Sequence, residues 1–284
     1  MTTVALAIIC HDRPLEIRDA LASAAGDAWE EIVVLDMASN PPLAPMAGVT
    51  LIRSNDNVGV TAGRNRLLDA MTADVIVFLD DDAVLTTPAV ETLRSRFESD
   101  HQLAVVAFGV RRQDGTAVSS EYPFRGRPVD DPASRPCAYF VGCGYAARRS
   151  AVTSTGGYDE SFFYSTEEVD LSLRLLARGW SLLYDPGVSI EHRPSSRGRS
   201  VAPRVPALLL RNRVIVARRH LPLAAAAVHL AAWGSRTCLA AARSGGMKQW
   251  LGAWKEGLHA PVDRQPLTWS DAVRIHRLGG RVLW

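Results

Sequence analysis

Val75-Ile76-Val77-Phe78-Leu79-Asp80-Asp81-Asp82-Ala83 is an apolar run that ends in three consecutive carboxylates. Uninterrupted apolar residues with β-branched members predict a strand buried on both faces of a parallel sheet. The charges then fall at its carboxyl end, where open α/β sheets bind their ligands. Adjacent carboxylates repel one another unless a cation sits among them, and hard oxygen ligands suit Mg²⁺ or Mn²⁺. The plainer alternative is a solvated turn or a helix cap begun by Asp82.

The elements upstream set this strand in a series. Val4-Ala5-Leu6-Ala7-Ile8-Ile9-Cys10 predicts a first buried strand, broken by His11-Asp12-Arg13-Pro14 and followed by a helical pattern from Leu15 to Ala25. Glu31 to Asp36 predicts a second strand, also ending in a carboxylate, and Val49 to Arg53 a third beyond the Pro-rich loop of Met37 to Gly48. Asn57-Val58-Gly59 through Gly63-Arg64-Asn65 leads into a helix expected over Arg66 to Met71. Small residues there would let backbone N–H groups approach an anion, or would only serve turn geometry. Strands alternating with helices predict a parallel sheet with right-handed crossovers.

Downstream, Pro88 to Asp100 reads as a helix and Leu103 to Val110 as a strand, followed by an irregular excursion over Arg111 to Pro136 of the kind that forms binding lids. Ala138-Tyr139-Phe140-Val141 is expected to resume a strand, with Gly142-Cys143-Gly144 permitting close approach to a ligand. A second acidic cluster, Thr166-Glu167-Glu168-Val169-Asp170, opens a helix. Acids in a first turn complement the helix dipole, but three exceed what capping needs, and a carboxylate in a cleft is a natural general base. Trp180 to Asp185 predicts a further strand, and Ile190-Glu191-His192 closes this part of the chain; a lone histidine is ordinarily structural.

The 284 residues suffice for one large α/β domain with an appendage, and 47% hydrophobic with 22% charged residues exclude wholesale disorder. Cys10, Cys137, Cys143 and Cys238 form no CxxC pair, so free thiols are expected rather than a disulfide framework or a zinc site. Met1-Thr2-Thr3 runs straight into an apolar strand, so no signal peptide is expected. The overall charge of +2 conceals a division: residues 1–191 carry a net −11 and residues 192–284 a net +13, with no acid between His192 and Lys255. Val205 to Arg219 and Leu221 to Ala242 resemble basic amphipathic helices whose apolar stretches fall short of the ~20 residues a bilayer requires. Such an arm suits packing on the catalytic part, an anionic membrane surface or an acidic carrier protein. Nucleic acid is disfavoured because no recognition motif accompanies the charge. Trp250, Trp254, Trp269 and Trp284 are candidate interfacial anchors, with core packing the plainer role.

Taken in order, these segments resemble the family-two inverting glycosyltransferases of the GT-A fold, particularly rhamnosyltransferase-like bacterial members, from about Val4 to His192. "AIICHDRP" is similar to the family's "IIPTYNRP", "VVLDMAS" to "VVDNGS", and "FLDDDA" to its DxD element. "FVGCGYAARR" and "GGYDESFFYSTEEVDLSLRLLARGW" resemble its acceptor-side and base-carrying segments. The resemblance implies an α/β, Rossmann-like, mostly parallel sheet flanked by helices, with a GT-A domain over 1–200 and a basic, mostly helical arm over 201–284. It implies a divalent cation, Mn²⁺ or Mg²⁺, on Asp80, Asp82 and His192, and a nucleoside-diphosphate sugar, UDP- or dTDP-linked, against Cys10, Asp12, Arg13, Asp36, Asn57, Arg64, Asp80 and Asp81. Glu168, where the family commonly has Asp, would be the base, with Gly142, Gly144, Glu167 and Asp170 on the acceptor side. The acceptor class stays open among glycans, lipid-linked sugars, small molecules and carrier-bound groups. The expected setting is cytoplasmic, with peripheral contact at the inner membrane face. A nucleotidyltransferase is the enzymatic rival, but it would place a Gly-rich basic loop where His11 to Pro14 stand. A non-catalytic sugar-nucleotide-binding module is the rival from another class.

Overall fold

The computed structural model describes residues 1–117, 119–124, 132–195, 197 and 204–280. Four parallel strands form one half of the sheet: β1 (Val4–Cys10), β2 (Ile32–Met37), β3 (Thr50–Ser54) and β4 (Val75–Asp80). Beyond them lie β5 (Ala83–Leu85), β6 (Leu103–Arg111), β7 (Arg135–Pro136), β8 (Gly144–Arg148) and β9 (Ser181–His192). The spatial order is β3-β2-β1-β4-β8-β6-β9-β5, with β7 on the β9 edge. The sheet is mixed, since β8 runs antiparallel to both β4 and β6, and β5 and β7 run antiparallel to β9.

The continuous apolar runs are explained by two cores, one on each face. Successive strand side chains point to opposite faces. Accordingly Val4, Leu6 and Ile8 of β1 enter one cluster while Ala5 and Ala7 enter the other, and β4 divides the same way, with Val75, Val77 and Leu79 opposite Ile76 and Phe78. Helices α1 (Glu16–Ala24) and α3 (Val90–Ser99) cover the first face through Ile17, Ala20, Leu93 and Phe97. The second face is covered by α2 (Gly59–Ala70), α4 (Arg149–Ser154) and α5 (Glu167–Ala177). The C-terminal helices are α6 (Val205–His220), α7 (Leu223–Ser244), α8 (Met247–His259) and α9 (Trp269–Arg277). Ile215, Val216, Ala217, Leu221, Ala272 and Ile275 from this arm belong to the same core as α5.

Several expectations are corrected. Ala138 to Val141 is not a strand; Ala138 and Phe140 are apolar because they are buried in the core, and the strand lies instead at Gly144–Arg148. A short apolar run cannot distinguish these two fates. Helix α2 starts at Gly59, seven residues before Arg66. Trp250 and Trp254 stack with centroids 5.4 Å apart inside the arm, whereas Trp269 is exposed; Trp284 and the expected boundary at 200/201 fall outside the described residues. The four cysteines are free thiols. No described helix is long and apolar enough to cross a membrane.

Candidate active site

Three carboxylates stand at the end of β4, where the next strand in the sheet, β8, reverses direction. They are not equivalent. Asp81 accepts Arg13 Nη1 at 2.5 Å and the His11 amide at 3.4 Å, so it is turned into the loop that follows β1. Asp82 receives Arg13 Nη1 at 3.0 Å, the Ser195 amide at 3.0 Å and His192 Nε2 at 3.4 Å. Asp80 forms no ion pair with any described residue. Its half-enclosed carboxyl is pushed up to about 7 by desolvation and by Asp82 beside it, with Arg64 and His192 only partly compensating.

Asp80, Asp82 and His192 each offer one ligand atom, and these atoms lie within 4.8 Å of one another. Two carboxylates and an imidazole are a fitting donor set for Mn²⁺ or Mg²⁺, and the unbalanced charge on Asp80 calls for a cation. His192 is itself oriented from behind. Its Nδ1 lies 2.9 Å from Glu121, on a single 3₁₀ turn (Ser119–Glu121) of the irregular excursion, and Glu121 is also held by Arg112 at 2.6 Å. Burial would lower the imidazole's pKa, but the hydrogen bonds to Asp82 and Glu121 outweigh it and push it up to about 9. A metal would have to displace that proton. Glu121 carried no sequence signal, being one acid in an irregular loop.

The second acidic cluster sits in the first turn of α5. Arg64 is buried and donates to Glu167 at 3.0 Å and to the Gly142 carbonyl at 3.0 Å, with its guanidinium 5.4 and 5.5 Å from the Tyr145 and Tyr158 rings. Asp170 is buried and receives Arg174 at 2.8 Å, Arg219 at 2.8 Å and His220 Nε2 at 2.8 Å. Desolvation raises that carboxyl, but the His220 and arginine contacts prevail and hold it well below the usual carboxylate range. Glu168 between them forms no ion pair with any described residue. Its enclosed position, then the charge of Glu167, push its carboxyl up to about 8, against the opposing pull of Arg64. Gly142 lies over it, and any Cβ there would collide with Glu168 Oε1.

A strained turn presents this helix. Phe163, Ser165 and Thr166 have φ of 56°, 72° and 75°, a region non-glycine residues seldom occupy. Asn212 of α6, fully buried, brings its Nδ2 to 3.1, 3.0 and 2.8 Å from the carbonyls of Phe162, Tyr164 and Ser165. The arm therefore braces the turn that carries Glu168. Sequence reasoning missed Asn212, because a single Asn within a basic amphipathic helix has no pattern of its own.

The residues expected to contact a nucleotide sugar are held as follows. Arg64 spends its donors on Glu167 and Gly142 in the interior, and Arg13 is committed to Asp81 and Asp82. Asp81 is in turn occupied by Arg13. The buried Cys10 thiol points to the Arg13 carbonyl at 3.6 Å. Asn57 caps the Gly59 amide at 3.1 Å, and the Val60 amide reaches the Phe163 carbonyl at 2.8 Å, so these two amides at the start of α2 are already occupied. Asp36 is buried and held by Arg53 and by the Ser39 and Leu43 amides at 3.0 Å each. Asp12 keeps an exposed face while accepting the Asn40 amide at 2.7 Å. On the expected acceptor side, Gly144 is a β8 residue packed under Ile190, Glu167 serves Arg64, and Asp170 clamps the arm. Gly142 alone lies directly against Glu168.

A mixed sheet with carboxylates at the end of β4 and an acid-headed helix beside them defines the GT-A class of fold. Residues 5–154 match the family described as glycosyl transferase family 2, more than half of the chain, and the chain belongs to that family. It is 35% identical over 91 residues to the N-acetylglucosaminyl-diphospho-decaprenol L-rhamnosyltransferase of Mycobacterium tuberculosis, a match covering 32% of this chain and 30% of that protein. The pre-mycofactocin glycosyltransferase of the same organism is 31% identical over 144 residues, 47% of this chain and 30% of its own. The chain thus spans about a third of the length of these relatives. Among solved structures, GalNAc-T7 with UDP, GalNAc and Mn²⁺ superimposes with a TM-score of 0.58 at 16% identity, covering 76% of this chain and 47% of that one. The mannosyltransferase PcManGT of Pyrobaculum calidifontis, with GDP-Man and Mn²⁺, does so with a TM-score of 0.52 at 16% identity, covering 96% and 78%. These similarities show the fold.

Proposed function

We propose that this protein is an inverting glycosyltransferase that moves a sugar from a UDP- or dTDP-linked donor to a hydroxyl or amine acceptor. One observation carries the reading: in each of two acidic clusters, every carboxylate but one has a cationic partner among the described residues, and the two left over are Asp80 and Glu168. Asp80, Asp82 and His192 would hold Mn²⁺ or Mg²⁺, which supplies positive charge for the donor diphosphate and for the leaving group. Glu121 fixes the His192 ring, and Arg13 tethers Asp82 and Asp81. Glu168 takes the proton from the acceptor nucleophile, a role suited to a carboxylate whose pKa lies near the working pH. The Mn²⁺ in the two similar structures supports the metal assignment. Calorimetry of UDP- and dTDP-sugars with Mn²⁺ is expected to give metal-dependent binding that Asp82→Asn weakens. Absence of binding by every nucleotide sugar overturns the assignment.

We also propose that the arm rests on an anionic membrane at its cytoplasmic face. Val228 and Leu239 are exposed along α7, Leu251 and Leu258 along α8, and Arg236, Arg243, Lys248 and Lys255 accompany them. An apolar face edged by cations suits the interface of anionic lipid. Salt-sensitive sedimentation with anionic vesicles is expected, and no binding at low salt refutes it.

A further inference from the structure

Between α5 and the arm lies a pocket of about 250 Å³ that reaches Glu168. Its walls are mainly apolar, formed by Phe140, Leu173, Val216 and Ile275 among others. Two residues on different walls carry a polar atom with no hydrogen-bond partner among the described residues. Thr166 Oγ1, at 7% residue exposure, neighbours Glu168, and His229 Nδ1, at 6%, comes from α7. Burial and the nearby Arg213 hold the His229 imidazole down to about 4, so it is a neutral hydrogen-bonding group. The Arg213 guanidinium lies 3.9 Å over the Trp233 ring and adds positive charge to the same wall. Unpartnered buried polar groups are costly, and a ligand that satisfies both removes that cost.

We propose that this pocket holds the acceptor, and that the acceptor is a compact amphipathic alcohol or phenol: an apolar ring or branched body, a nucleophilic hydroxyl at Glu168 and Thr166, and an acidic group at His229 and Arg213. The inference rests on the transferase reading and names its substrate class. A dry cavity of about 150 Å³ takes a benzene ring, so this one accommodates about ten non-hydrogen atoms. A free monosaccharide of that size would bring hydroxyls to walls that offer them few partners. In the transfer, the acceptor O–H proton passes to the Glu168 carboxylate and the acceptor oxygen bonds to the anomeric carbon. The bond from that carbon to the diphosphate oxygen breaks, and its electron pair leaves with the nucleoside diphosphate.

The test uses the full chain and 4-hydroxyphenylacetate as probe, read by tryptophan fluorescence because Trp233 packs on Arg213 and lies 6.3 Å from the His229 ring. Saturable quenching is expected, at least tenfold weaker for 4-hydroxyphenylethanol, which lacks the carboxylate, and for the His229→Leu variant. Val216→Trp, which fills the pocket, is expected to abolish it while nucleotide-sugar binding by calorimetry stays at the wild-type level. Quenching by N-acetylglucosamine but not by the probe overturns the proposal, as does probe affinity unchanged in both folded variants. Probe binding by a chain that binds no nucleotide sugar instead overturns the transferase reading and leaves an amphipathic-acid site.

Discussion

Asp80-Asp81-Asp82 ends a buried strand and Glu167-Glu168-Asp170 begins a buried helix, yet cationic partners are shared out among them in the same way. Arg13 takes Asp81 and, with His192, Asp82; Arg64 takes Glu167; Arg174, Arg219 and His220 take Asp170. What differs is where the partners come from. The strand cluster is neutralised mainly from the loop after β1 and the end of β9, within the GT-A region. The helix cluster draws two of its cations from the C-terminal arm. Surplus acid in a cleft is thus informative only after its partners are subtracted, and among the described residues the remainder is one carboxylate in each cluster, Asp80 and Glu168.

The sharpest way to break this comparison is Glu168→Gln, which is expected to lower transfer by 10²- to 10⁴-fold with folding and donor binding intact. Retained turnover would show that the unpaired carboxylate is not the base. Next in size, Asp170→Asn leaves Arg174, Arg219 and His220 facing a neutral group and is expected to cost about 3 kcal/mol of stability in denaturant unfolding. Because the Asp170 carboxyl is held below its ordinary value, its contribution is complete above about pH 4 and is withdrawn as pH falls below that. Acid should therefore destabilise the native protein more than the variant, and equal losses would contradict the pairing.

Asn212→Ala should reduce kcat about tenfold while leaving donor affinity unchanged, since it releases the strained turn without touching the metal site. An effect on donor KM alone would assign Asn212 elsewhere. The smallest effect is on pH dependence. Glu168 must be ionised to accept a proton, so kcat is expected to rise about tenfold per pH unit and level off above pH 8, the value to which burial and Glu167 bring it. Glu167→Gln removes the like charge and should move that midpoint downward; an unmoved midpoint would mean Glu167 does not act on it.

The sequence made some of this legible and not the rest. The apolar runs of β1 and β4 announced a doubly covered sheet, and the acids after Leu79 and Thr166 announced both clusters. The antiparallel β8 was hidden because Ala138 and Phe140, buried without pairing, imitate a strand better than Gly144 to Arg148 does. The partners were hidden because they are remote along the chain: Arg13 lies 68 residues from Asp81, Glu121 71 from His192, and Asn212 47 from Ser165. Such pairings follow from tertiary packing, on which local pattern is silent. Arg64 is an example: beside a glycine-rich helix start it resembles an anion ligand, and its partner Glu167, 103 residues away, cannot be read from local pattern.

The three carbonyls gathered by Asn212 also set a rule for recombination among relatives. A chimera that joins residues 1–195 of this chain to another protein's arm would inherit the turn at Phe163 to Thr166 without its brace, and Asp170 without Arg219 and His220. Exchange of acceptor preference by swapping arms should therefore succeed only when the turn and α5 travel with the arm as one inherited piece.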